Sequence, residues 1–284
     1  MAIRIIPRLD IKGPNLVKGV HLEGLRVLGK PSDFAREYYE QGADELVFMD
    51  VVASLYGRNS LLDIIERTAN EIFIPLVVGG GLRSIPDIRD VLRAGADKVT
   101  LNTAAVRRPE FITEASRQFG SSTIVVSIEA MRRGDRYEAF TDNGRERTGL
   151  DAIDWAVRAA ELGAGELLVT SIEREGTGRG YDIELTRAIA DRVEVPVVAC
   201  GGAGKPADVV DAIEAGASAA SLASMLHYEF TTRNTVNPGE FASDINLQHL
   251  QQPGFAKVQA TSLADLKGYL AERGLTSRPL VFDA

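Results

Sequence analysis

Cysteine is nearly absent from this chain of 284 residues: Cys200 stands alone, so no disulfide forms within it and no cysteine-based metal cluster is available. Long apolar runs are missing too, and nothing approaches the roughly 18 residues of a membrane span. The opening stretch, Met1-Ala2-Ile3-Arg4-Ile5-Ile6-Pro7, places Arg4 and Pro7 where a signal peptide requires unbroken apolar residues. The expectation is a cytoplasmic protein that does not engage a membrane. Positive charge is in deficit, with 32 Lys and Arg against 40 Asp and Glu and a formal net charge of −8. Binding to nucleic acid is dominated by basic side chains on phosphates, so such a partner is not expected. Small phosphorylated metabolites stay open, because backbone N–H groups at helix starts hold phosphate whatever the net charge. No cofactor and no metal site is expected.

What is present is an alternation. Short continuous apolar runs predict strands over 4–10, 45–51, 75–79, 98–101, 123–128, 166–170, 197–200 and 219–222. Unbroken rather than alternating hydrophobicity is the pattern of parallel strands covered on both faces. Amphipathic stretches over 32–41, 60–71, 84–94, 109–119, 151–162, 182–193 and 205–215 predict helices between them. Eight such units make either a barrel or a doubly wound sheet.

An internal repeat decides between the two. Gly42-Ala43-Asp44-Glu45-Leu46 returns as Gly163-Ala164-Gly165-Glu166-Leu167, Gly79-Gly80-Gly81 as Cys200-Gly201-Gly202, and Ala94-Gly95-Ala96 as Ala215-Gly216-Ala217, each 121 residues on. The period spans four strand–helix units, so two copies close a (β/α)8 TIM barrel from two half-barrels. The whole of 1–284 reads as one barrel, with a non-repeat insertion at about 229–260, where periodicity is lost before a helical pattern resumes over 262–273.

Active sites of such barrels lie at the C-terminal strand ends. The third strand is followed by Gly79-Gly80-Gly81-Leu82-Arg83-Ser84 and the seventh by Gly201-Gly202-Ala203-Gly204; the neighbouring fourth and eighth strands end in Asn102-Thr103 and Ala223-Ser224. Glycines admit an oxyanion close to the backbone and helix starts supply free N–H donors, so the repeat predicts two equivalent phosphate sites. Asp10 and Glu129 close strands one and five and are candidates to divide acid and base roles, with Asp50 a further candidate. Lys18 falls in a glycine-punctuated segment, 11–26, that reads as a loop able to close over a ligand. At the opposite end, Arg4, Glu45, Lys98 and Glu166 predict a ring of alternating charge around the axis, readable as a salt-bridge plug or as a gate.

With these residues in place the chain resembles the cyclase subunit of imidazole glycerol phosphate synthase, over nearly its whole length apart from 229–260. The likeness is carried by Arg4-Ile5-Ile6-Pro7 with Leu9-Asp10, Gly79-Gly80-Gly81 with Arg83-Ser84, Gly95-Ala96-Asp97-Lys98-Val99, Gly163-Ala164-Gly165-Glu166, Gly176-Thr177 and Gly201-Gly202-Ala203-Gly204. The resemblance implies a glutamine amidotransferase partner, the glutaminase subunit, docked on the N-terminal face with Asp97 at the interface. Its ammonia would pass the ring into the barrel. There it would react with a bisphosphorylated ribulosyl aminoimidazole carboxamide nucleotide, giving imidazole glycerol phosphate and the aminoimidazole carboxamide ribotide. Asp10 then matches one catalytic aspartate, Lys18 the mobile-loop lysine, and Gly176 joins the phosphate residues.

Three departures stand out. Glu129 replaces the second catalytic aspartate, and its extra methylene displaces the carboxylate by roughly an ångström, a shift that can cost about a hundredfold in rate. Arg8 occupies a position that is commonly small in the family and would be the counter-ion of Asp10 if close to it. Glu173 and Glu175 are the acids after strand six. These departures leave two alternatives to the histidine pathway. One is a paralogous subunit using glutaminase-derived ammonia for amidation of a sugar or secondary metabolite; the other is a non-catalytic ammonia-channelling scaffold. The related sugar isomerase of the same pathway would have no use for the charged ring.

Overall fold

The computed structural model describes residues 2–53, 61–236 and 258–278. Strand β1 (Arg4–Lys12) turns into an antiparallel hairpin, β2 (Asn15–Val20) and β3 (Glu23–Gly29), before helix α1 (Pro31–Glu40). Three strand–helix units follow: β4 (Leu46–Asp50) with α2 (Leu62–Ala69), β5 (Leu76–Gly79) with α3 (Ile85–Arg93), and β6 (Lys98–Leu101) with α4 (Thr103–Arg107) and α5 (Glu110–Phe119). The second half opens alike, with β7 (Ile124–Arg133) leading into a hairpin of β8 (Arg136–Thr141) and β9 (Glu146–Asp151) and then α6 (Ala152–Glu161). It continues through β10 (Glu166–Ser171), α7 (Ile183–Ala190), β11 (Val197–Cys200), α8 (Pro206–Glu214), β12 (Ala219–Leu222) and α9 (Ser224–Val236), with α10 (Leu263–Ala271) beyond.

Strands β1, β4, β5, β6, β7, β10, β11 and β12 are parallel in that order, and β12 returns to β1. The sheet is therefore the closed (β/α)8 barrel expected from the repeat. Its strands are buried on both faces. Ile6, Val47, Val77, Val125, Leu168, Val198 and Ala219 pack inside the barrel, while Ile5, Phe48, Val126 and Leu167 belong to the larger core beneath the helices. The pleat, which sends successive side chains to opposite faces, explains both sets. Local chemistry starts the helices: Ser84 and Asp87 form a capping box on α3, and Asp151, Asp182 and Ser262 cap α6, α7 and α10.

The repeat reaches further than the sequence indicated. The first hairpin closes on the pair Lys12–Asn15 and the second on Arg133–Arg136, again 121 residues apart. Asp87 Oδ2 accepts from Arg83 N and Ser84 N at 2.9 Å each, and Asp208 Oδ2 accepts from Gly204 N and Lys205 N at 2.7 and 3.0 Å, at the same offset.

Two expectations need correction. The segment 11–26 is not a loop but most of the β2–β3 hairpin. Irregular chain does not begin at 229, because α9 continues to Val236. That helix buries Met225, Leu226, His227, Tyr228, Phe230 and Thr231, which lie around its circumference, so it shows no apolar stripe to a periodicity search. Residues 237–257 of the expected insertion lie outside the described residues. Among the described residues no helix is long and apolar enough to cross a membrane.

Candidate active site

The barrel interior is stratified by the pleat. At its N-terminal end Arg4 Nη1 lies 3.0 Å from Glu45 Oε2, and Lys98 Nζ lies 3.0 Å from both Glu45 Oε2 and Glu166 Oε2. Arg4 also pairs with Glu166, which closes the four side chains into a cycle of alternating sign. Burial pushes the Glu45 carboxyl above its usual range, with Lys98 and Arg4 opposing the rise. For Arg4 burial acts downward, but Glu166 and Glu45 outweigh it and raise its pKa. Asp97 is exposed beside the ring and accepts from Leu76 N at 2.9 Å.

Above the ring sits the apolar layer, and above that a polar one. Arg8 crosses this polar layer from β1. Its Nε donates to Asp10 Oδ1 at 2.8 Å, and its Nη1 reaches Thr170 Oγ1 at 3.4 Å and Cys200 Sγ at 3.5 Å. Arg8 is 3% exposed and Asp10 5%. Burial alone would lower the Arg8 pKa, yet the Asp10 carboxylate beside it holds the guanidinium protonated and raises it. Sequence reasoning placed Arg8 next to Asp10 only along the chain; the pleat puts both on the inner face.

Asp10 and Glu129 stand at matching levels. Asp10 is opposite Met49 and Glu129 opposite Thr170, and those partners are related by the repeat. Glu129 Oε2 accepts from Gly144 N at 2.8 Å, a residue of the β8–β9 turn. Burial raises the Glu129 pKa to about 7; Arg8 and the Gly144 bond oppose that rise, and the nearby Asp10 charge adds to it.

The mouth divides into two cavities. The first, about 260 Å³, is lined by Gly80, Gly81, Thr100, Asn102, Thr103, Ser127 and Glu129, with Asp50, Arg83 and Arg107 on its wall. Gly80 has φ +99°, and a Cβ there would sit 2.2 Å from the Asp50 carbonyl oxygen, so only glycine fits. Asn102 Nδ2 donates to Phe140 O at 3.2 Å, and Thr103 Oγ1 accepts from Asp142 N at 3.1 Å, which ties the β8–β9 turn over this cavity. The second cavity, about 20 Å³, is lined by Arg8, Asp10, Glu175, Gly176, Cys200, Gly201, Gly202, Ser221, Ala223 and Ser224. The two sites are thus not equivalent, as the repeat alone suggested; the Arg8 guanidinium lines the smaller one. Asp10 and Glu129 open into different cavities.

Lys18 is buried, not exposed. It projects from the first hairpin, pairs with Glu175 and donates to Gly19 O at 2.8 Å. Burial opposes its charge, but Glu175 more than compensates and its pKa is raised. Glu175 Oε2 also accepts from Leu22 N at 3.1 Å, which fastens the hairpin to the loop after β10. Glu173, in contrast, is exposed and accepts from Arg132 N at 3.2 Å. Among the described residues no cluster of three or more metal-ligating side chains occurs.

Sequence reasoning missed the interior hydroxyls Thr100, Ser127 and Ser221 and the turn residues Asp142, Asn143 and Gly144. That turn had a readable signal, since Asp-Asn-Gly suits the positive φ found at 142–144, and Gly134-Asp135 likewise suits the two-residue turn between β7 and β8. The interior hydroxyls had none, because small polar residues in an apolar run fit a core strand equally well.

Comparison with known proteins agrees with this geometry. The family model described as histidine biosynthesis protein matches residues 4–232. Imidazole glycerol phosphate synthase subunit HisF of Legionella pneumophila is 57% identical over 204 residues, 72% of this chain and 96% of that protein. The protein of the same name from Thermosynechococcus vestitus is 53% identical over 235 residues, 80% of this chain and 84% of its own length. That from Alkaliphilus metalliredigens is 50% identical over 227 residues, 79% and 90% respectively. Of the readings left open by the sequence, these relatives carry the name of the first. The chain belongs to the histidine biosynthesis protein family, among the cyclase subunits of imidazole glycerol phosphate synthase.

Proposed function

We propose that Glu129 and Asp10 are the acid–base pair of the cyclase–lyase reaction, acting on a bisphosphorylated ribulosyl aminoimidazole carboxamide nucleotide that spans the barrel mouth. One phosphate is held by Gly80, Gly81, Asn102 and Thr103, the other by Gly176, Gly201, Gly202, Ala223 and Ser224. The observation that carries this reading is Glu129 itself. It is a buried carboxyl in the larger cavity with a pKa of about 7, able to give and take a proton at neutral pH. Asp10, at the matching level of the other half and paired with Arg8, is the second carboxyl of the pair on the opposite side.

Ammonia enters from a glutaminase subunit docked on the N-terminal face around Asp97, through the ring of Arg4, Glu45, Lys98 and Glu166. The half-exposed bases of that ring support a gate that opens when a base swings outward. Lys18 closes the hairpin over bound substrate, exchanging Glu175 for an anion of the ligand. The products are imidazole glycerol phosphate and the aminoimidazole carboxamide ribotide.

The test is steady-state turnover of the bisphosphate substrate with ammonium salt as nitrogen donor. Glu129→Gln should lower kcat by about a hundredfold or more, since positioned acid–base groups contribute at least that much. A folded Glu129→Gln barrel with undiminished product formation rejects the assignment.

A further inference from the structure

The two cavities occupy corresponding places in the two halves but differ at the positions of Ser127 and Arg8. The first lies where β6 meets β7, and two of its buried hydroxyls, Thr100 Oγ1 and Ser127 Oγ, have no hydrogen-bond partner among the described residues. The second lies where β12 meets β1. There Ser221 Oγ, which is 121 residues beyond Thr100, is likewise unpartnered. The counterpart of Ser127 follows from the register: Ser127 stands two residues before Glu129, and Arg8 two residues before Asp10, at matching levels of the two halves. Arg8 Nη2 is unpartnered too, on a side chain only 3% exposed. So the first cavity presents two buried, unsatisfied hydroxyls, whereas the second presents Ser221 Oγ, Ser224 Oγ and Arg8 Nη2, with an arginine standing where the first half has a serine.

Unsatisfied donors in the interior are costly, and a guanidinium nitrogen more so than a hydroxyl. Nε and Nη1 already serve Asp10, Thr170 and Cys200, which fixes the plane of the fork and leaves Nη2 unpartnered on a side chain that lines the cavity with Ser221, Gly201 and Gly202. That side chain lines the smaller of the two cavities, about 20 Å³ against about 260 Å³.

We propose that Arg8 is the specificity-determining residue of the second cavity, where its free guanidinium edge and Ser221 Oγ bind one compact phosphate of the substrate and exclude any ring. The inference rests on the phosphate reading given above and adds polarity to it. A doubled barrel with two equal mouths could seat its substrate either way round. With Arg8 in place, the heterocycle and its sugar fit only the first cavity, and the second takes a tetrahedral dianion alone. Asp10 has a further role here as the counter-ion that keeps the planar guanidinium oriented. Entry of the phosphate requires Lys18 and Glu175 to part, because that pair lies beside the same cavity.

Calorimetric titration of the intact protein with inorganic phosphate tests this. The wild type should show two sites. Arg8→Ser, which copies the first half, should weaken one of them at least tenfold and leave the other unchanged, and Arg8→Lys should restore part of the loss. Removing Arg8 strands Asp10, so Arg8→Gln combined with Asp10→Asn serves as the charge-neutral variant, with circular dichroism confirming the barrel. The second probe is the aminoimidazole carboxamide ribotide, expected to bind once to the wild type and twice to Arg8→Ser. Two unaltered phosphate sites in the neutral double variant, or equal loss of both, would overturn the proposal. Phosphate binding as described in a protein that fails to turn over the bisphosphate substrate would uphold Arg8 and refute the functional reading instead.

Discussion

Glu129→Gln separates stability from catalysis because the carboxyl is buried and its ionisation is costly. Its pKa stands at about 7 against an ordinary 4.5. Between those values the folded state holds a proton that the unfolded chain has released, so wild-type stability falls as pH rises through this window and levels off above about 7. At about 1.36 kcal/mol per pH unit the full effect is about 3 kcal/mol. Glutamine is neutral throughout, and its carbonyl oxygen can still accept from Gly144 N, so the native hydrogen bond is kept. Urea denaturation of both proteins from pH 5 to pH 8.5 measures the difference. The variant should match the wild type near pH 5 and exceed it by about 2–3 kcal/mol at pH 8, while losing turnover at every pH. A stability difference that is flat across the series, or that turns against glutamine at high pH, would show that the carboxyl is not held protonated by burial.

Four further outcomes follow from the geometry. Lys98→Met leaves Glu45 and Glu166 facing each other and should cost about 2 kcal/mol in denaturant titration, a figure discounted for the partial exposure of Lys98; adding Glu45→Gln should recover most of it. Gly202→Ala puts a Cβ 2.2 Å from the Gly180 carbonyl oxygen at φ +113° and should destabilise by about 2 kcal/mol or more, read as a lowered melting temperature. Asp87→Ala and Asp208→Ala each remove a carboxylate that accepts from two backbone N–H groups, and should cost similar amounts, about 1 kcal/mol apiece; a gap above about 2 kcal/mol would contradict the equivalence of the halves. Glu175→Gln takes the counter-ion from buried Lys18 and should speed proteolysis within the β2–β3 hairpin, whereas Glu173→Gln, exposed, should not.

Much of this was legible because it is periodic or compositional. The recurrence of Gly80 as Gly201 and of Glu45 as Glu166 requires no coordinates, and it implies two halves, two glycine loops and a shared charged end. The hairpins after β1 and β7 were harder, since polar residues alternate with apolar ones over too few positions to outweigh a loop reading, although Gly134-Asp135 marked one turn. The extension of α9 to Val236 was hidden because a helix buried on most sides carries no stripe. Lys18 was legible as a candidate site residue but its burial was not, because its partner Glu175 is 157 residues away in the sequence.

The sequence by itself determined the barrel, its doubling, the positions of the glycine loops and the identity of the charges at each end, because strand periodicity and repeat spacing are properties of the chain. Only the tertiary structure decided how those charges pair and how much space they leave. The cycle of Arg4, Glu45, Lys98 and Glu166 closes around the barrel axis, and the clamp of Arg8 on Asp10 reaches Thr170 on β10 and Cys200 on β11. That Arg8 crosses the interior to line the smaller cavity follows from pleat, register and closure, not from any local pattern in the chain.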